Sequence, residues 1–302
     1  MRIFYSHTYC ETDVTSDTTR KAYHLYQSLR ERPINGVELL EPRSATESQL
    51  AHVHSPRYLR ALRTGVPYEL AASNGLGWDS SFYGAVRSST GGVRDAALAA
   101  LDDGVSGSLS SGLHHANREC GRGFCTLNGL ALAADAVIAT GAERVLILDL
   151  DAHCGGGTAD IIRTVPGVEQ VDVSVVEFDS YDTTGREDLT LVIAGSDDYL
   201  DSISTALRSV RDPQSIDLVL FNAGMDPHEA AGGIPGITAE TLASREAMVF
   251  SWATHLRLPI AFVLAGGYTS PLFKMDALVE LHRLTISAAA EAATVARGAR
   301  WN

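Results

Sequence analysis

The chain has 302 residues, 45% hydrophobic and 20% charged, a globular composition with ample core that excludes a disordered or fibrous protein. A formal net charge of −13 argues against nucleic acid as a partner and mildly favours cationic ligands. No apolar run approaches the roughly 20 residues of a membrane span, so no membrane association is expected, and cysteines 10, 120, 125 and 154 lack a Cys-x-x-Cys spacing or a disulfide framework, which makes a reducing cytoplasm the expected location.

The opening Met-Arg-Ile-Phe-Tyr-Ser-His reads as a first strand and not as a signal peptide. Residues 18–32 carry Ala22, Leu25 and Leu29 at helical spacing. A short strand is expected at 37–40, helices at 47–53 and 57–63, and a surface loop at 67–79. Residues 81–101 read as a long helix whose Gly91-Gly92 pair, unfavourable in a helix interior, signals close packing. Residues 104–123 read as loop, 126–140 as helix, 145–151 as the central strand and 158–163 as helix. Strands follow at 171–177, 189–194, 216–222 and 260–265, with helices at 198–211, 238–255 and 271–290. Strands alternating with helices predict an α/β fold: one domain over 1–302, with a largely parallel sheet covered by helices on both faces. No linker interrupts the span from 114 to 268 that holds the polar clusters.

The stretch Val145-Leu-Ile-Leu-Asp149-Leu-Asp151-Ala-His153 is an apolar strand that ends in two acids and a histidine. Ligands of open α/β sheets bind beyond the carboxyl ends of strands. Alternation puts Asp149, Asp151 and His153 on one side, where such groups grip a divalent metal. Leu218-Val-Leu-Phe-Asn222-Ala-Gly224-Met-Asp226 repeats the design with an aspartate, and 260–268 repeats it with Gly266, Gly267 and Tyr268. A polar loop adds His114-His115. Catalytic zinc keeps three protein ligands and an open position, which Asp151, His153 and Asp226 supply. With a histidine as base and a phenol as oxyanion donor, every part for metal-assisted amide hydrolysis is present.

These motifs, with His52-Val-His54-Ser-Pro-Arg-Tyr58-Leu, Gly112-Leu-His114-His115-Ala and Gly121-Arg-Gly123-Phe124-Cys125-x-x-Asn128, resemble in order those of the histone deacetylase family, within the arginase/deacetylase fold. The resemblance implies a zinc-dependent enzyme that removes acetyl or another short acyl group from an acyl-lysine or related acylated amine. It makes Asp151, His153 and Asp226 the zinc ligands and His115 the base that deprotonates the attacking water. His114 would be an electrostatic partner held by Asp149, and Tyr268 would stabilise the oxyanion. Substrate would be bound by Gly123, Phe124 and Gly267, with Tyr181 in the place of the family's facing phenylalanine. A structural potassium ion would lie against the backbone of Asp149, Asp151 and His153 and against Ser174.

The chain departs from the family in several places. Gly155-Gly156-Gly157 replaces a triplet whose middle Asn or Asp bonds the second active-site histidine, so His115 is expected to lack that partner, or to have it replaced by water or another side chain. Cys154 stands where His or Gln is frequent, and Asp79 is the candidate for the rim aspartate in a rim shortened over 65–81. A dinuclear manganese ureohydrolase is a competing reading, but it needs acids where Gly155, Gly224 and His228 stand. A silent acyl-lysine binder would have lost a ligand, a histidine or the tyrosine, and none is missing. Acetylpolyamine and small-metabolite deacylation are the alternatives within the enzyme class; Ala230-Ala231-Gly232-Gly233 offers no acidic gatekeeper, although Glu229 is close. The remaining histidines, His54 and His228 among them, are given structural roles.

Overall fold

The computed structural model describes residues 1–12 and 16–300. Its eight strands are β1 (Arg2–Phe4), β2 (Glu38–Leu40), β3 (Val105–Ser108), β4 (Val145–Asp149), β5 (Val168–Ser174), β6 (Leu189–Ile193), β7 (Leu218–Gly224) and β8 (Ile260–Ala265). They form one sheet in the order β2-β1-β3-β8-β7-β4-β5-β6, every pair parallel. The helices are α1 (Asp17–Glu31), α2 (Glu47–Val53), α3 (Pro56–Thr64), α4 (Tyr68–Ala71), α5 (Phe82–Asp103), α6 (Gly129–Ile138), α7 (Gly156–Ile162), α8 (Tyr199–Ser209), α9 (Ala239–Leu256) and α10 (Met275–Arg300).

Alternation along the central strands builds two cores. Leu146 and Leu148 of β4, Val219 and Phe221 of β7, and Ile260, Phe262 and Leu264 of β8 pack with residues of α1, α8, α9 and α10. Val145 and Ile147, Leu218 and Leu220, and Ala261 and Val263 face α5, α6 and α7 instead. Helices on both faces leave the carboxyl ends of β3, β8, β7 and β4 side by side as the place for a site.

The structure revises several expected boundaries. β3 lies within the segment read as loop, because Val-Ser-Gly-Ser has no apolar run. Its small residues are required by crowding: a Cβ on Gly107 would lie 2.2 Å from the Phe262 ring. The hydroxyls of Ser106 and Ser108 donate to the Arg2 and Phe4 carbonyls of β1. α6 starts at Gly129 because Asn128 caps it, its side chain accepting the Ala131 amide at 2.9 Å. The Gly91-Gly92 pair of α5 is close-packed as expected, since Cβ atoms there would lie 2.1 Å from the Arg43 carbonyl and 1.8 Å from the Tyr9 hydroxyl.

His54 is fully buried. Its Nδ1 donates to the Asn117 carbonyl at 2.9 Å and its Nε2 accepts the Asn128 amide at 3.0 Å, which fixes the neutral tautomer. Burial disfavours the charged ring and pushes its pKa down to about 4. Between that value and the roughly 6.5 of an unfolded histidine, the unfolded chain binds the extra proton. This contribution to stability is complete above the window and is lost as pH falls through it, by on the order of 3 kcal/mol. Urea unfolding on either side of the window should therefore show a smaller acid-side loss for His54→Gln than for the parent; identical losses would remove His54 as the cause.

Candidate metal centre and active site

β4 ends at Asp149, and the chain beyond it turns so that Asp151 and His153 meet Asp226, two residues past the end of β7. One ligand atom from each of these three lies within 4.8 Å of the other two. His153 Nδ1 is 3.2 Å from both Asp151 Oδ1 and Asp226 Oδ2. Asp226 is fully buried; its Oδ1 accepts the Ala152 amide at 3.0 Å, while its Oδ2 makes no hydrogen bond. Burial and the Asp151 charge raise the Asp226 pKa. Burial also opposes ionisation of Asp151, but the His114 and His153 rings outweigh it and hold that carboxyl well below the usual range. Two buried carboxylates converging on one imidazole nitrogen, one of their oxygens unbonded, are a donor set that fits a divalent cation.

His114 and His115 follow β3, with rings 4.0 Å apart. His114 Nδ1 donates to Asp149 Oδ2 at 2.7 Å, and Asp149 Oδ1 is held by Asn222 Nδ2 at 2.7 Å. Burial lowers the His114 pKa, but the charges of Asp149 and Asp151 prevail and raise it to about 10. His115 moves the other way: burial and the neighbouring His114 charge push it down to about 4. The two adjacent rings are thus shifted in opposite directions, His115 towards the neutral form and His114 towards the cationic one. His115 does not lack a partner, since its Nδ1 lies 3.0 Å from Asp179 Oδ2.

A pocket runs down to this cluster, lined by Leu113, His114, His115, Gly123, Phe124, Asp151 and Tyr268 among others. Gly123 (φ +52°) lies against His115, where its Cβ would be 2.5 Å from the ring, and Phe124 (φ +64°) is turned outward and half-exposed. Leu113, Phe124 and Asp179 all have positive φ, so strained backbone of non-glycine residues gathers at the site. Tyr268 packs on Gly232, and its amide donates to the Ala231 carbonyl at 2.8 Å. Burial and the Asp226 and Asp151 charges raise its pKa, so the phenol stays protonated.

Tyr181 is a correction. Its hydroxyl is turned away from the pocket and accepts Gln170 Nε2 at 2.9 Å, among the polar groups behind Gly155. The aromatic beside the site is Phe178, 41% exposed, edge-on to His115 at 5.0 Å and to His153 at 5.9 Å. Asp79 does not stand free at a rim: its Oδ1 accepts the Ser81 and Phe82 amides at the start of α5 and its Oδ2 accepts Thr12 Oγ1. His228 lies outside the cluster, tilted against Phe273, with Nδ1 accepting the Ala230 amide. Gly267 (φ +82°) packs its α-carbon towards Leu278, and Ser174 Oγ donates to Asp172 Oδ1 at 2.5 Å.

Residues 16–283 match the histone deacetylase domain. The chain belongs to the histone deacetylase family. As a member it is a hydrolytic deacetylase. It is 33% identical over 245 residues to an uncharacterized protein of Picosynechococcus, covering 80% of this chain and 82% of that one. It is 29% identical to histone deacetylase 2 of Arabidopsis thaliana, over 76% of this chain and 63% of the plant protein. Among solved structures, an acetylpolyamine aminohydrolase from Burkholderia pseudomallei superposes with a TM-score of 0.77 at 20% identity, over 95% of this chain and 98% of that one. The HD domain of HDA15 gives 0.75 at 19%, over 96% and 89%. These two likenesses confirm the arginase/deacetylase fold expected from the sequence.

Four residues of this deacetylase's site escaped the sequence reading besides Phe178. Lys21 is fully buried on α1 and donates to the Gly266 carbonyl, with its pKa lowered to about 8 by burial against the pull of Asp226 and Asp151. Its spacing to Leu25 and Leu29 on the apolar stripe was the available signal. From the same helix, Asp17 Oδ2 accepts the Thr269 amide at 2.7 Å, so α1 ties down the loop that carries Tyr268. Arg245 of α9, also fully buried, donates to the Leu150 carbonyl at 3.1 Å and the Gly224 carbonyl at 2.7 Å, joining the segments that carry Asp151 and Asp226. The fourth is Asp179, whose signal lay in no motif. Acids at the two glycine positions that a dinuclear site would need do not fit this backbone: a Cβ on Gly155 would be 2.7 Å from Asp149 Oδ2, and one on Gly224 would be 2.5 Å from the Asp151 Cα.

Proposed function

We propose that this deacetylase removes acetyl, or another short acyl group, from an acyl-lysine or related acylated amine, with zinc held by Asp151, His153 and Asp226. The observation that carries the reading is the convergence of those three donors, one of which, Asp151, lines a pocket together with His114, His115 and Tyr268. When bound there, zinc lowers the pKa of a water and polarises the scissile carbonyl. His115 keeps Nδ1–H on Asp179 and so offers Nε2 as the acceptor for the proton of the attacking water. His114, held by Asp149, keeps positive charge beside the developing negative one. The Tyr268 hydroxyl donates to the oxyanion. The Gly123 carbonyl receives the substrate amide N–H, Phe124 and Phe178 flank the alkyl chain, and Gly267 lies beside the acyl group.

Support for a potassium ion beside Ser174 and the backbone of Asp149, Asp151 and His153 comes from local charge. Asp149 and Asp172 are both buried, and burial together with the Asp149 charge raises the Asp172 pKa to about 8. The whole of 1–302 is read as one catalytic domain. A reducing, cytoplasmic setting accords with four unpaired cysteines. No helix among the described residues is long and apolar enough to cross a membrane. Acyl-lysine is preferred to acetylpolyamine because residues 230–233 carry no acid at the pocket.

Metal content measured together with hydrolysis of a short acetyl-lysine amide, with and without a hydroxamate chelator, tests this. One zinc per chain and hydroxamate-sensitive acetate release are expected. Zinc without turnover on acetyl substrates would reject acetyl as the acyl group, and two manganese per chain would overturn the mononuclear reading.

A further inference from the structure

We infer that Asp179, on the loop after β5, is the positioning residue for His115, and that Gly156 is glycine because Asp179 occupies the space of its side chain. The inference rests on the proposed role of His115 as the base. The Asp179 side chain is 7% exposed, with Oδ2 3.0 Å from His115 Nδ1. A second donor, the Gly157 amide, reaches Oδ2 at 3.3 Å, and Arg122 Nη1 lies 2.7 Å from Oδ1. Both oxygens are therefore held, and one of them is aimed at the ring. His114 has the same arrangement with Asp149 on the opposite side, so each histidine has its own carboxylate.

The link to Gly156 is steric. A Cβ built there would lie 2.3 Å from the Asp179 carbonyl oxygen, 2.9 Å from its Cγ and 3.0 Å from Oδ1. A side chain at 156 and the Asp179 carboxylate cannot share that volume. The carboxylate that faces His115 thus comes from a different segment, and the glycine is its complement. Asp179 pays for the arrangement with φ +62°, a left-handed conformation that aspartate tolerates better than most residues and that persists where contacts enforce it. An Arg122–Asp179 ion pair serving only to pin the loop would need neither the buried Oδ2 contact nor the aim at Nδ1.

A double-mutant cycle with His115→Ala separates these roles. Asp179→Ala should lower kcat by roughly 10–100-fold, as loss of a histidine's orienting partner does, while KM and zinc per chain stay at parent values. Added to His115→Ala, it should lower kcat no further. In the proton NMR spectrum of the metal-free protein, Asp179→Ala should lose the downfield Nδ1–H resonance of His115 and keep that of His114; Asp179→Asn should keep both the fold and part of the resonance. Gly156→Asn, which puts a family-like side chain back beside the ring, should lower activity here, because it collides with the Asp179 backbone. Additive losses in the cycle, or an unaltered His115 resonance in Asp179→Ala, would overturn the assignment. Parent-like turnover of His115→Ala would instead sink the reading of His115 as base, an outcome distinct from failure of Asp179 alone.

Discussion

Asp226→Ala should take metal content from one zinc per chain to almost none, with turnover lost alongside. Loss of a hydrogen-bond partner behind a ligand already costs about 10–100-fold in affinity or activity, and this change removes a ligand itself. The structure explains why no neighbour substitutes. Gly266 lies directly on the carboxylate, where its Cβ would fall 2.1 Å from Oδ1, and Gly224 and Gly267, the small residues flanking the site, bring no donor side chain. The variant should still fold. It leaves the Ala152 amide without its acceptor, a cost of about 1–3 kcal/mol, and it relieves two carboxylates buried side by side. The telling comparison is thermal: added zinc should raise the Tm of the parent through linkage and leave that of the variant where it was. A variant that keeps full zinc by elemental analysis would reject Asp226 as a ligand.

Tyr268→Phe should bind zinc like the parent and lose roughly 10²–10³ in kcat, the effect of deleting one preorganised oxyanion donor. The ring is placed by its contact with Gly232 and by its own amide on Ala231, neither of which involves the hydroxyl. The loop beneath it is anchored independently by Lys21 and Asp17. KM should therefore change little. Because burial and the nearby carboxylates keep the phenol protonated, the donor should not be titrated away on the alkaline side of neutrality. Turnover near that of the parent would remove the phenol from the mechanism.

What was legible in the sequence follows from how each feature is encoded. β4, β7 and β8 announce themselves because both their faces are buried, so the run is largely apolar, and after β4 and β7 the candidate metal donors are the first polar residues beyond it. Asp151, His153 and Asp226 were readable for that reason, and the His114-His115 pair as a contiguous motif. β3 was not, since its register partner Phe262 demands glycine and serine where a strand would show valine. The family resemblance placed Tyr181 at the pocket, whereas the turn after β5 brings Phe178 there and sends Tyr181 to Gln170. The partner of His115 was sought at position 156, where the motif has it. Space and not spacing decides that contact, and two segments that fill one volume leave no linear trace.

β8 is the last strand along the chain, yet it lies in the interior of the sheet, between β3 and β7. Before it is synthesised, the strands already made can pair only as two separate ribbons, β2-β1-β3 and β7-β4-β5-β6. Each ribbon presents an open parallel edge, the kind of edge that invites pairing with another chain. A nascent polypeptide at that stage already contains Asp151, His153 and Asp226 and both histidines of the site. It has neither the strand that welds the ribbons together nor the loop bearing the phenol. Such a chain would carry the candidate metal donors before it could form the complete site, and would expose its open sheet edges until the final strand arrives.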